Sequence, residues 1–286
     1  MRLITKTIQA DADIVLHGDT HEGSLAAHTD GIDRLVKWVM AKPNRYYAHM
    51  GDAQEARTID HPYFDPTTSE MVTPLRQKNC VIERYSDTGD RCLAWLEGNH
   101  EFSLRRFGNL SEEVAEKIGA PFGGINCKVR LMDPDGQQIF KLYLSHPFRL
   151  TMNSHAKDPE QRAANMKAKL KWFMRDKAAD CLVMAVGHVH KLMVVNPVKQ
   201  LLLTDDGDDV KQSYLEVGDG TSAYIEPDRR WYCSTGSFLK TVLLNADTYS
   251  ERQGYDPVEL GYIMVKIRNG KVAAVERKTD CSGGTR

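Results

Sequence analysis

The stretch MAVGHVHKL, residues 184–192, decides how the rest of the chain is read. An apolar run at 182–186 has the length and character of a buried strand, and it stops at Gly187. His188 and His190 follow, with only Val189 between them. One histidine at a strand end is ordinary. Two at this spacing ask for partners, since alternation along an extended segment sets both imidazoles on one side and Val189 on the other.

Working outward, the chain repeats this arrangement. The strand expected at 13–17 is followed by Gly18-Asp19-Thr20-His21, and the one at 46–50 by Gly51-Asp52. The strand at 91–96 is followed by Glu97-Gly98-Asn99-His100-Glu101, and the one at 138–144 by Ser145-His146-Pro147. Ligands bind at the C-terminal ends of strands in open α/β sheets. Singly, each fragment is a turn, a cap or a core histidine. Together, Asp19, His21, Asp52, Asn99, His146, His188 and His190 make a ligand set expected to gather at one sheet edge. Oxygen and imidazole donors without thiolate suit Mn, Fe or Zn and argue against a structural zinc site. Seven ligands exceed the needs of one ion. Two ions sharing a bridging carboxylate would use them and would suit displacement at phosphorus.

The surrounding sequence predicts an α/β (α+β) chain. Helices are expected at 29–41, capped by Thr29 or Asp30, at 71–88, from Ser111 with its acidic first turn, and at 158–179. Beyond about residue 190 strands dominate, at 198–204, 213–217, 230–234 and 262–268, and Asn269-Gly270 turns the last into 271–277. The acidic Asp205–Asp209 loop lacks the spacing of a calcium loop and reads as a hairpin tip. The helix at 158–179 carries Arg162, Lys167, Lys169, Lys171, Arg175 and Lys177 opposite Met166, Leu170, Phe173 and Met174. That pattern is a core-packed helix with a solvated basic face; a track for a phosphate backbone is the sharper alternative.

The 286 residues are 41% hydrophobic and 27% charged, enough for a sizeable core. A net charge of −1 gives no support to a dedicated nucleic-acid binder. The N-terminus does not read as a signal peptide, and no window has the apolar length of a membrane span. The six cysteines lie singly, several in apolar runs, which predicts reduced buried thiols and a cytoplasmic protein.

D-x-H, G-D, G-N-H-E, H and G-H-x-H, in this order over residues 19–190, resemble the calcineurin-like metallophosphoesterase superfamily. The resemblance implies a two-sheet β-sandwich flanked by helices in four αββα layers. The whole chain, 1–286, would form one such domain, strand-rich from about 191. It implies two divalent ions, Mn first, with Fe or Zn as alternatives. Asp19, His21 and His190 would hold one, Asn99, His146 and His188 the other, and Asp52 would bridge them. A water or hydroxide between the metals would attack phosphorus. His100 would protonate the leaving oxygen or stabilise phosphoryl charge, and Glu101 would orient His100.

The departures narrow this reading. Gly51-Asp52-Ala53-Gln54-Glu55-Ala56-Arg57 lacks the G-D-x-V-D-R-G of the superfamily's protein phosphatases, while Gly18-Asp19-Thr20-His21-Glu22-Gly23-Ser24 is closer to nuclease-like and phosphodiesterase members. The W-Y-C-S-T-G-S-F segment at 231–238 and Y-S-E-R-x-G-Y-x-P from Tyr249 resemble phosphoesterases encoded in bacteriophage genomes. The expected substrate is a phosphodiester, including a nucleotide or nucleic-acid end, with no membrane partner. A phosphomonoesterase and a non-catalytic, metal-stabilised scaffold are the alternatives. Arg105 and Arg106, close after G-N-H-E, are candidates to grip a phosphate oxygen, with Arg149 a weaker one. His17 and His49 are expected in core packing or behind the ligands. His28, His61 and His155 have no assigned role.

Overall fold

Val183–Val186 is a strand with every residue buried, as its unbroken apolar run requires. The computed structural model describes residues 1–215 and 217–280. Its strands are β1 (Arg2–Thr7), β2 (Ala12–His17), β3 (Arg45–His49), β4 (Cys92–Leu96), β5 (Phe122–Gly124), β6 (Asn126–Met132), β7 (Gln138–Ser145), β8 (Val183–Val186), β9 (Leu192–Val195), β10 (Leu201–Asp205), β11 (Val210–Tyr214), β12 (Trp231–Thr235), β13 (Gly261–Arg268) and β14 (Lys271–Thr279). Its helices are α1 (Thr29–Met40), α2 (Pro74–Tyr85), α3 (Asn99–Phe102), α4 (Leu110–Ile118), α5 (Pro159–Met174) and α6 (Tyr249–Arg252).

Two six-stranded sheets carry the architecture, in the orders β1-β6-β7-β8-β12-β9 and β14-β13-β2-β3-β4-β5. One core lies between them. It joins Leu16, Ala48 and Leu96 of the second sheet to Leu142, Leu144, Val183 and Ala185 of the first, and extends along the chain from Ile8 to Val275. On the outer face of the second sheet, Val15, Tyr47 and Trp95 pack with Ile32 and Leu35 of α1, Val81 of α2 and Val114 of α4. On the outer face of the first, Tyr143, Met184 and Tyr232 pack with Leu170 and Met174 of α5. The layers therefore run helix, sheet, sheet, helix, the mixed α/β arrangement that the sequence predicts.

The strand-rich end feeds both sheets. β9 and β12 extend the first sheet beside β8, while β13 inserts antiparallel beside β2. Asn269 and Gly270, both with positive φ, make the turn from β13 into β14. Residues 205–209 lie at the tip of the β10–β11 hairpin, whose residues are almost all exposed.

Several expectations are corrected. The helix expected at 158–179 ends at Met174. The fully buried Arg230 guanidinium stops it by taking the Arg175 carbonyl, which a helix reaching 179 would have paired with Ala179 N. The cap of α4 is Asn109, whose side chain accepts from Glu112 N, and not Ser111. α1 has neither Thr29 nor Asp30 as its cap, since its cap position is His28. β1, β5, β6 and β9 had no counterpart in the sequence reading. β6 did carry a signal: Cys127, Val129 and Leu131 alternate inward, but lysine and arginine between them masked it. Of the six cysteines, Cys92, Cys127, Cys181 and Cys233 are buried, Cys80 is partly buried, all five are free thiols, and Cys281 lies outside the described residues.

The cap assignment can be measured. Asn109→Ala should lower the unfolding free energy by about 1 kcal/mol in urea titrations, within the usual range for a lost N-cap. An equal or larger loss from Ser111→Ala, with Asn109→Ala neutral, would return the cap to Ser111.

Candidate metal centre

The candidate ligands do not share one sheet edge, as the sequence suggested. They come from the facing C-terminal ends of two sheets. β2, β3 and β4 run parallel in one and supply Asp19, His21, Asp52 and Asn99. β7 and β8 run parallel in the other and supply His146, His188 and His190. The edge rule holds for each sheet, and face-to-face packing brings the two edges together.

Two groups of donors result. In the first, His21 Nε2 lies 3.3 Å from His190 Nε2, and His190 Nε2 lies 3.2 Å from Asp19 Oδ1. In the second, His146 Nε2 lies 3.2 Å from both Asp52 Oδ2 and Asn99 Oδ1, and His188 Nδ1 lies 2.7 Å from Asn99 Oδ1. The ligand atoms of Asp19, His21 and His190 lie within 4.8 Å of one another, as do those of Asp52, His146 and His188. His21, Asp52 and His100 satisfy the same limit, so Asp52 sits within reach of both groups. The donor chemistry and spacing fit divalent ions, and all seven expected ligands converge.

Partners behind the ring nitrogens aim several of these donors inward. His21 Nδ1 donates to Glu55 Oε2 at 3.0 Å, and His146 Nδ1 donates to the Met50 carbonyl at 2.6 Å, so each ring presents Nε2 to the centre. The Asp19 carboxylate accepts the His188 backbone N–H, and Asp52 Oδ1 accepts that of His100. The segment 231–238 acts here too: Ser237 Oγ and Phe238 N both donate to the Asp19 carbonyl.

The backbone is forced to make this convergence. Asp19, His21, Asp52, His188 and His190 all have positive φ, between 50° and 75°, where non-glycine residues are uncommon. The extended geometry expected for 188–190 is therefore wrong. His188 and His190 are left-handed, Val189 N bonds to the Gly187 carbonyl, and Val189 packs on the α5 side of the first sheet. This tight turn still delivers the two imidazoles to different groups. At Gly98 an added Cβ would lie 2.0 Å from Asp52 Oδ1, and at Gly51 it would lie 2.5 Å from His146 Nδ1.

Two buried carboxylates and the imidazoles perturb one another. Burial disfavours charge on His146, but Asp52 and then Asp19 outweigh it and push its pKa up to about 9. Burial lowers His188 to about 4, reinforced by His146. For Asp52 the penalty of burial is overcome by His146, His100 and His21, which hold its carboxyl well below the usual range.

His100 stands at the rim, partly exposed, with its ring edge-on to His21 at 4.6 Å between centroids. Its Nδ1 donates to the Glu55 carbonyl at 2.6 Å. Glu101 does not orient it, contrary to expectation: the Glu101 carboxylate turns the other way and accepts from Gln54 N and Gly98 N. Glu101 thus braces the two ligand loops, and burial followed by Asp52 raises its pKa to about 7. Glu55 was missed. Its carboxylate pairs with His21 and Arg57 while its carbonyl holds His100. The only trace in the sequence is an acid three residues after Asp52, in a loop with no periodicity.

The two candidate arginines have partners of their own. Arg105 Nε is 3.3 Å from the buried Glu97, and its guanidinium lies over the Phe102 ring. Arg106 lies over Phe107 and helps line a cavity of about 150 Å³ with Thr58, His61 and Ser103. His17 and His49 belong to a buried aromatic cluster, His49 stacking on Trp95 at 4.2 Å and His17 on Tyr85 at 6.0 Å. Burial lowers the pKa of His17 to about 3.

No family model and no curated protein matches the chain. Among solved structures, it is similar to the calcineurin-like phosphoesterase YfkN from Bacillus subtilis. The identity is 16% and the TM-score 0.39, over 96% of this chain and 92% of that one. It is also similar to the NAD nucleotidase NadN from Haemophilus influenzae, at 14% identity and a TM-score of 0.39, over 94% of this chain. It spans 49% of that protein's chain.

The electrostatics predict opposite pH responses with and without metal. Because the folded pKa of His146 lies above its unfolded value, its stabilising effect is present below about 6.5 and lost as pH rises through about 9. Metal-stripped protein should therefore lose thermal stability across that window, while the increment from added Mn should grow, since an ion held by His146 must displace its proton. Melting curves from pH 6 to 9.5, with chelator and with Mn, test this. A Mn increment that shrinks with rising pH would contradict it.

Proposed function

We propose that the chain is a dinuclear metal-dependent phosphoesterase acting as a single domain. The observation that carries this reading is the pair of His/Asp groups, with Asp52 of the second also within reach of His21 of the first and of His100 at the rim. Two divalent ions, Mn first with Fe or Zn as alternatives, would polarise phosphoryl oxygens and activate a water at neutral pH. Asp19, His21 and His190 would hold one, Asn99, His146 and His188 the other, and Asp52 both.

The chain's own residues supply the rest. Glu55 and the Met50 carbonyl hold His21 and His146 in the tautomers that present Nε2. With Nδ1 committed to the Glu55 carbonyl, His100 offers Nε2 to a substrate. Asp52 and Glu55, outweighing burial, raise its pKa, the direction that suits a donor of a proton to a leaving oxygen. A scaffold would have no use for an imidazole held so beside two ligand groups. The G-D-T-H-E-G-S opening supports a phosphodiester over a monoester. Among the described residues no helix is long and apolar enough to cross a membrane, and the buried free thiols suit the cytoplasm.

Hydrolysis of bis-p-nitrophenyl phosphate and p-nitrophenyl phosphate with Mn, Fe or Zn should show turnover, faster on the diester. Folded protein inactive on both with every metal would refute the enzymatic reading. His100→Ala should lower turnover by roughly 10²- to 10⁴-fold with bound metal unchanged. Glu55→Ala should instead weaken metal binding by roughly 10- to 100-fold, read by elemental analysis against chelator competition.

A further inference from the structure

Beside the second donor group stands an aromatic pair that none of the roles above uses. Phe148 follows His146 by two residues, and Phe102 follows Asn99 by three on the short helix α3. The rings meet at 5.0 Å between centroids, tilted by 56°. Phe148 is also edge-on to His146, at 6.2 Å. Phe102 is 38% exposed, although it directly follows the buried Glu101, and Phe148 is partly buried. Arg105 lies over the Phe102 ring at 5.5 Å and is tied on its other side to the buried Glu97. The arginine that the sequence offered to a phosphate therefore braces an aromatic side chain. The pair is anchored at both ends by residues of the ligand loops and open towards solvent.

From this geometry we propose that Phe102 and Phe148 form a subsite for a flat aromatic group of the phosphate-bearing ligand, a nucleobase or an aryl ring. The proposal rests on the phosphoesterase reading only for the position of the phosphoryl group. A phosphoryl group held at His146 and Asn99 would lie beside the pair, since the Phe148 ring is 6.2 Å from the His146 ring and Phe102 shares a helix with Asn99. Aromatic faces stack on bases and aryl rings alike, and they add little for a small alkyl group. The cation over the Phe102 face, Arg105, is itself paired with the buried Glu97.

The test uses equilibrium binding of phosphonates, whose carbon–phosphorus bond an esterase does not cleave, to the full chain with Mn present. Phenylphosphonate and the 5′-phosphonate analogue of AMP should each bind about tenfold or more tightly than methylphosphonate, as ring stacking implies. Phe148→Ala and Phe102→Ala should remove that preference and leave methylphosphonate affinity and Mn content unchanged. Phe148→Trp should retain it. A preference for the AMP analogue alone assigns the subsite to a nucleobase, and one for phenylphosphonate alone to an aryl ester. Equal binding of all three, or alanine variants that weaken all three alike, would overturn the proposal. If an alanine variant fails to fold, the wild-type ratio and Phe148→Leu decide. Ring-dependent binding without hydrolysis of any ester would refute the esterase reading and leave the subsite standing.

Discussion

Two buried carboxylates held within reach of several imidazoles are the constraint on which the rest of the structure depends. Asp19 and Asp52 are essentially without solvent, and their mutual repulsion is tolerated only because histidines and backbone N–H groups face them. Burying such charge is costly unless each oxygen finds a partner. The loops answer with backbone N–H donors from His188 and His100, and with left-handed turns at five of the ligand positions. Strain of this kind persists where the surrounding fold over-determines it, and two packed sheets do so here.

That constraint also explains the neighbouring small and acidic residues. Gly98 lets the fourth strand's loop close on Asp52, because any side chain there would occupy the space of the carboxylate. Glu101 accepts from both Gly98 N and Gln54 N, so it links the loops carrying Asn99 and Asp52. Glu55 couples the first donor group to His100 through one residue, its carboxylate on His21 and its carbonyl on the His100 ring. The His21 and His100 imidazoles thereby share a support.

Much of the fold and the centre was legible along the chain, and the reason is local. Apolar runs such as 13–17, 92–96 and 182–186 are buried on both faces, so they need no partner to be read as strands, and each is followed within two residues by a glycine. β6 is harder to see because lysine and arginine stand between its inward residues, and β1 because none of its residues is buried. The end of α5 was misplaced because its stop signal, Arg230, arrives from more than fifty residues away. Glu101 was given the wrong partner for a related reason. Adjacency to His100 suggests contact, yet successive residues on a helix point in different directions, and Glu101 turns inward to backbone.

By itself the sequence determined which residue types stand at the strand ends and in what order, since strand burial and loop chemistry are short-range properties. It did not determine that the ligands come from two sheets, that His188 and His190 sit in a left-handed turn, or that Glu55 stands behind His21. It also left Phe148 and Phe102 unconnected, forty-six positions apart. Those relations depend on how one sheet packs over the other, and that packing is set by a core running from Ile8 to Val275. Only when distant strands are brought face to face do separate polar loops become one centre with an inside and a rim.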